Sequence, residues 1–116
     1  MGALTTHVLD ISAGKPGAGV RIDLYRAGTA RQHVLTTSTN ADGRCEQPLL
    51  QGDALEPGEY DLVFHAGEYF SRQGVTLSNP PFLGQVVIRF GVADAAQNYH
   101  VPLLLSPFGY STYRGS

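Results

Sequence analysis

The sequence predicts a small all-β domain, an antiparallel sandwich or barrel, on three observations. Apolar and polar residues alternate in short runs, as in Val20-Arg21-Ile22-Asp23-Leu24-Tyr25, which is the period of half-buried strands. Turn-forming clusters separate seven or eight such runs at roughly 8–15-residue spacing, the rhythm of all-β chains. Only one segment has helical character, so nothing calls for helices crossing between parallel strands.

The elements follow in order. Leu4 to Asp10 is β-rich, with Thr6, Val8 and Asp10 on one face and Thr5, His7 and Leu9 on the other. Ser12 to Gly19 is a turn cluster. Val20 to Tyr25 is a strand, and Gly28 marks the return to a second at Gln32 to Thr37. Asp42-Gly43 is the strongest signal of the next turn. Arg44 to Leu49 reads as a short strand ended by Pro48. Pro57-Gly58 opens the strand Glu59 to His65, and Ala66 to Gln73 is the one helix, carrying a weak stripe of Ala66, Tyr69 and Phe70 and stopped by Gly74. Gln85 to Val92 and Tyr99 to Leu105 are the last long strands. Ser106-Pro107-Phe108-Gly109 then bends the chain into a tail ending at Ser116.

Length and composition bound the reading. A chain of 116 residues makes one domain, residues 1–116, and folded alone it exposes about 6,100 Å². Charged residues make up only 16%, against roughly 25% in soluble domains. The 14 Gly and 7 Pro together exceed the ~12% these residues usually contribute. Low charge and many turns fit short strands and a surface partly covered by other subunits. A net charge of -2 with Lys15 as the lone lysine leaves no footprint for a phosphate backbone. No apolar run approaches the ~18 residues of a membrane helix. No secretory leader is visible at the start and no peroxisomal signal at the end, so a cytoplasmic location is expected. Cys45 stands alone, which excludes an internal disulfide and Cys-rich zinc sites.

Four histidines hold most of the reactive chemistry, because imidazole carries protons near neutral pH. His7 and His100 lie in the first and last long strands; His33 and His65 read as ordinary strand residues. Arg44 follows the Asp-Gly turn, where an arginine either meets solvent or grips a planar anion with its fork of donors. Arg114 has the same two readings within a tail that would ordinarily fray. No spaced His pair, Gly-x-Ser-x-Gly elbow or phosphate loop occurs, and carboxylates such as Glu56 and Glu59 fall in turns.

Several segments together resemble the transthyretin-like family. They are Thr6-His7-Val8-Leu9-Asp10, Gly14-Lys15-Pro16 with Val20 to Leu24, Asn40-Ala41-Asp42-Gly43-Arg44, and Tyr99-His100-Val101-Pro102-Leu103-Leu104-Leu105-Ser106-Pro107. The closing Tyr113-Arg114-Gly115-Ser116 is similar to the signature of that family's enzyme branch, the 5-hydroxyisourate hydrolases. The likeness spans essentially the whole chain; it departs before Val86, where Phe82-Leu83-Gly84-Gln85 stands in place of aromatic residues and a Pro-Glu pair.

This resemblance implies a sandwich of two four-stranded sheets with one short helix, assembled as a homotetramer, a dimer of dimers with active sites at the dimer–dimer interface. It implies hydrolysis of 5-hydroxyisourate, with His7 and His100 handling and orienting the water and Arg44 binding the anionic substrate. Tyr113, Arg114, Gly115 and Ser116 would complete the pocket. Which histidine is the base stays open at this point. Neither a metal nor an organic cofactor is implied. Two alternatives remain: a transthyretin-type carrier of a small molecule, and a β-sandwich interaction module.

Overall fold

The computed structural model describes residues 1–115. Its strands are β1 (Ala3–Asp10), β2 (Lys15–Pro16), β3 (Arg21–Arg26), β4 (Gln32–Ser38), β5 (Leu50–Gln51), β6 (Gly58–Phe64), β7 (Val86–Val92), β8 (Tyr99–Ser106) and β9 (Gly109–Thr112). The helix α1 spans Ala66–Arg72, and a 3₁₀ turn covers Gly52–Ala54. Two sheets pack face to face. One runs β2-β1-β8-β9, with β5 also pairing β1; the other runs β4-β3-β6-β7.

The alternation read from sequence decides what is inside. In β1 the even positions are buried and the odd ones half-exposed, so Leu4 and Val8 enter the core while Thr5, His7 and Leu9 line the outer face. Ile22 and Leu24 of β3, Leu62 and Phe64 of β6, and Leu103 and Leu105 of β8 close the core from the remaining strands. The three residues of the weak helical stripe, Ala66, Tyr69 and Phe70, are all buried. The Tyr69 hydroxyl also donates to Asp10 Oδ2 at 2.7 Å, tying α1 to the end of β1. The accessible surface is 6295 Å², close to the size expectation for a single domain.

Three local expectations change. The sandwich is mostly antiparallel, but β1 and β8 pair in parallel over Leu4–Asp10 and Tyr99–Leu105. Arg44 to Leu49 forms no strand. Arg44 makes a single bridge to His7, Leu49 N–H donates to the Leu4 carbonyl, and the pairing strand is β5 just beyond. Pro48 has no N–H to give a ladder, which explains the interruption. The tail extends as β9 along β8, with Leu103 opposite Thr112 and Leu105 opposite Tyr110.

Candidate active site

The outer face of the β1–β8 pair gathers the residues singled out in the sequence. In the parallel register Thr5 lies opposite His100 and His7 opposite Pro102. His7 and His100 therefore occupy neighbouring strands of one face, two positions apart. Ninety-odd residues of chain separate them, and only this pairing unites them.

Arg44 arrives by a different route. The Asn40–Gly43 turn closes on itself: Asn40 Oδ1 accepts from the N–H groups of Asp42 and Arg44, and Gly43 N–H donates to the Asn40 carbonyl. Gly43 has φ +77, and a Cβ there would lie 2.3 Å from the Val8 carbonyl oxygen. Only glycine tolerates both conditions. The turn thus lies flat on β1, with Val8 N–H donating to the Gly43 carbonyl at 2.8 Å, and Arg44 pairs beside His7. Its guanidinium is exposed and has no hydrogen-bonded or ionic partner among the described residues. A cleft of about 190 Å³ opens beside Arg44 and Thr5.

The hydrogen bonds fix part of the proton arrangement. His7 Nε2 lies 3.1 Å from the Asp42 carbonyl oxygen. A carbonyl only accepts, so Nε2 carries the hydrogen, and in the neutral ring the lone pair sits on Nδ1. His100 Nδ1 lies 2.8 Å from Thr5 Oγ1. Burial first, then the Arg44 charge and the neighbouring His7, hold the His100 imidazole below the ordinary histidine range, favouring its neutral form.

The tail closes over the other side of His100. Thr112 Oγ1 donates to the Pro102 carbonyl at 2.7 Å, and Gly115 N–H donates to the His100 carbonyl at 2.7 Å. A Cβ on Gly115 would stand 2.6 Å from His100 Cδ2, so the signature glycine allows the tail to touch the ring. Tyr113 is largely exposed. Arg114 faces elsewhere: its guanidinium lies 4.2 Å from the centroid of the Tyr99 ring and donates to Gln97 Oε1 and the Asn98 carbonyl, both at 3.0 Å. Ser116 lies outside the described residues.

The other two histidines lie away from this face: His33 in β4 of the opposite sheet, and His65 at the junction of β6 and α1. His65 Nε2 donates to Asp23 Oδ2 at 2.8 Å, while its Nδ1 accepts from the Arg21 guanidinium. His33 hydrogen-bonds to Thr36. Both keep the structural reading. Among the described residues no three His, Cys, Asp or Glu side chains gather as a metal site requires. Sequence reasoning missed Thr5 and the Asp42 carbonyl. Thr5 shares a strand face with His7, and that i, i+2 relation was its one available signal.

Residues 4–115 match the HIUase/Transthyretin family. The chain is 59% identical to the 5-hydroxyisourate hydrolase of Pseudomonas aeruginosa, covering 100% of this chain and 93% of that protein. Among solved structures it resembles (S)-allantoin synthase with a TM-score of 0.94 and 44% identity, covering 99% of this chain but 44% of that one. It also resembles sea bream transthyretin solved in complex with thyroxine, with a TM-score of 0.87 and 26% identity over 97% of this chain and 94% of that one.

Proposed function

The chain belongs to the HIUase/Transthyretin family, and from that premise we propose that it hydrolyses 5-hydroxyisourate to 2-oxo-4-hydroxy-4-carboxy-5-ureidoimidazoline. The observation that carries this reading is Arg44, exposed and bridged to His7, on a sheet face that also carries His100. Opening the ring makes three demands. Water must lose a proton as it attacks a carbonyl carbon, the carbonyl oxygen must be stabilised as an anion, and the departing ring nitrogen must gain a proton.

His7 takes the proton from water through Nδ1, because its Nε2–H is already given to the Asp42 carbonyl. That carbonyl orients the ring as a third group orients the base in a catalytic triad. His100, favoured in its neutral form, orients the water through Nε2. Arg44 holds the anionic substrate and the negative charge that develops on its carbonyl oxygen. When the carbon–nitrogen bond breaks, the proton held on His7 passes to the leaving nitrogen. Tyr113, Gly115 and Ser116 form the wall of the pocket, and Arg114 serves it by anchoring the tail to Tyr99, Gln97 and Asn98.

The chain acts as a homotetramer in this reading, with the site face of each dimer turned to the other dimer. Half-exposed Leu9 and Leu104, paired on the same face as the histidines, support burial of this face by a neighbour. The likeness to thyroxine-bound transthyretin favours a carrier as the second reading. An apolar ligand on this face would leave two imidazoles and a guanidinium without partners, which disfavours it.

The deciding experiment follows the ultraviolet absorbance of freshly generated 5-hydroxyisourate with and without the protein. Accelerated decay is expected; decay at the spontaneous rate overturns the hydrolase reading.

A further inference from the structure

We infer that Thr5 is a positioning residue of this site, holding the His100 ring in one orientation so that Nε2 faces the substrate. The inference rests on the hydrolase reading for its consequence and on geometry for its substance. Thr5 sits directly opposite His100 in the parallel ladder, so both side chains leave the same face at the same level. The Thr5 hydroxyl meets Nδ1 at 2.8 Å, and the second nitrogen is the one left unpaired among the described residues.

The neighbouring threonine supplies a contrast. Thr6 points into the core and gives its hydroxyl to the Val101 carbonyl at 2.7 Å, a bond that joins the two strands. The Thr5 hydroxyl makes no bond to the backbone among the described residues; its partner there is the imidazole. On the far side of the ring Gly115 leaves no room for a methyl group. His100 is thus gripped at Nδ1 by a hydroxyl and along its Cδ2 edge by the tail. With Nδ1 held by the hydroxyl, the ring is turned so that Nε2 is its free nitrogen among the described residues.

The substitution Thr5→Val keeps the β-branched shape that suits a strand and removes only the hydroxyl. It is expected to lower kcat about tenfold with KM within about twofold, while Thr5→Ser retains near-normal kcat. The ¹⁵N resonance of His100 Nδ1 should shift in Thr5→Val, where its hydrogen bond is lost, and stay close to the parent position in Thr5→Ser. A kcat for Thr5→Val equal to the parent's, an equal loss in Thr5→Ser, or a His100 Nδ1 resonance unmoved in Thr5→Val overturns the inference. Should the parent fail to turn over 5-hydroxyisourate, the hydrolase reading falls, and the NMR comparison still decides whether Thr5 sets the state of His100.

Discussion

Arg44 carries the largest share of risk and information among single residues, because in the proposed mechanism its charge meets the substrate while it also acts on His100. Replacing it with alanine removes one of the influences that depress the His100 pKa. The sign follows directly. In the proposed mechanism His100 works as the neutral ring, so losing the Arg44 charge raises its pKa and moves upward the part of the acid limb that His100 sets. A pH–rate profile of kcat measures this, alongside a large rise in KM from the lost anion clamp. His7→Ala and His100→Ala should each lower kcat about 10²-fold or more without changing the oligomeric mass, as steady-state kinetics and light scattering will show. At this scale the sequence carried His7, Arg44 and His100 through motif resemblance, since no spacing rule links residues so distant. It carried neither the Nδ1 and Nε2 assignments nor Thr5, because those depend on which atoms meet across strands.

Among the elements, the long strands were legible and the short ones were not. β3, β6, β7 and β8 each show enough alternation to announce a buried face. The two-residue strands β2 and β5 contain no period at all, and the parallel pairing of β1 with β8 has no local signal, since it joins residues 95 positions apart. The tail is the element with the sharpest prediction. It lies on His100 through Gly115 and is held by Thr112 and Arg114, yet it adds little to the core. Deleting residues 113–116 is expected to remove activity and leave thermal unfolding nearly unchanged; parallel turnover assays and melting curves test both halves. α1 shows the converse case. Its weak stripe sufficed because Tyr69 adds a hydrogen bond to buried Asp10, and Tyr69→Phe should cost about 1–2 kcal/mol in denaturant unfolding.

For the molecule as a whole, stability should depend on acid in a defined direction. Asp61 is 1% exposed, and hydrogen bonds from Arg89, against the effect of burial, hold its carboxyl below the usual range with help from Arg31. Burial raises the Asp10 and Asp23 carboxyls. Their hydrogen bonds outweigh it: Ser12, Tyr69 and Ala13 bond Asp10, and Thr36 and His65 bond Asp23. All three pKa values fall below 3.8 on folding, so their contribution is complete above that pH and drains away as pH falls through the lowered values. Urea midpoints measured at pH 7 and pH 3 should differ, and Asp61→Asn should narrow the gap. The sandwich class itself was legible because alternation and turn spacing are properties of the entire chain, while β1 and β8 lying side by side is settled only when everything between them has folded.

That arrangement has a consequence for synthesis. One imidazole is flanked by a threonine of β1 and by a glycine that follows β9, with most of the fold encoded between them. A nascent polypeptide on the ribosome therefore owns every part of the upstream wall and still has no working centre. On the proposed reading the centre is complete only once β8 has joined β1 and the tail has laid itself along β8, so chains released before that point are expected to be inert.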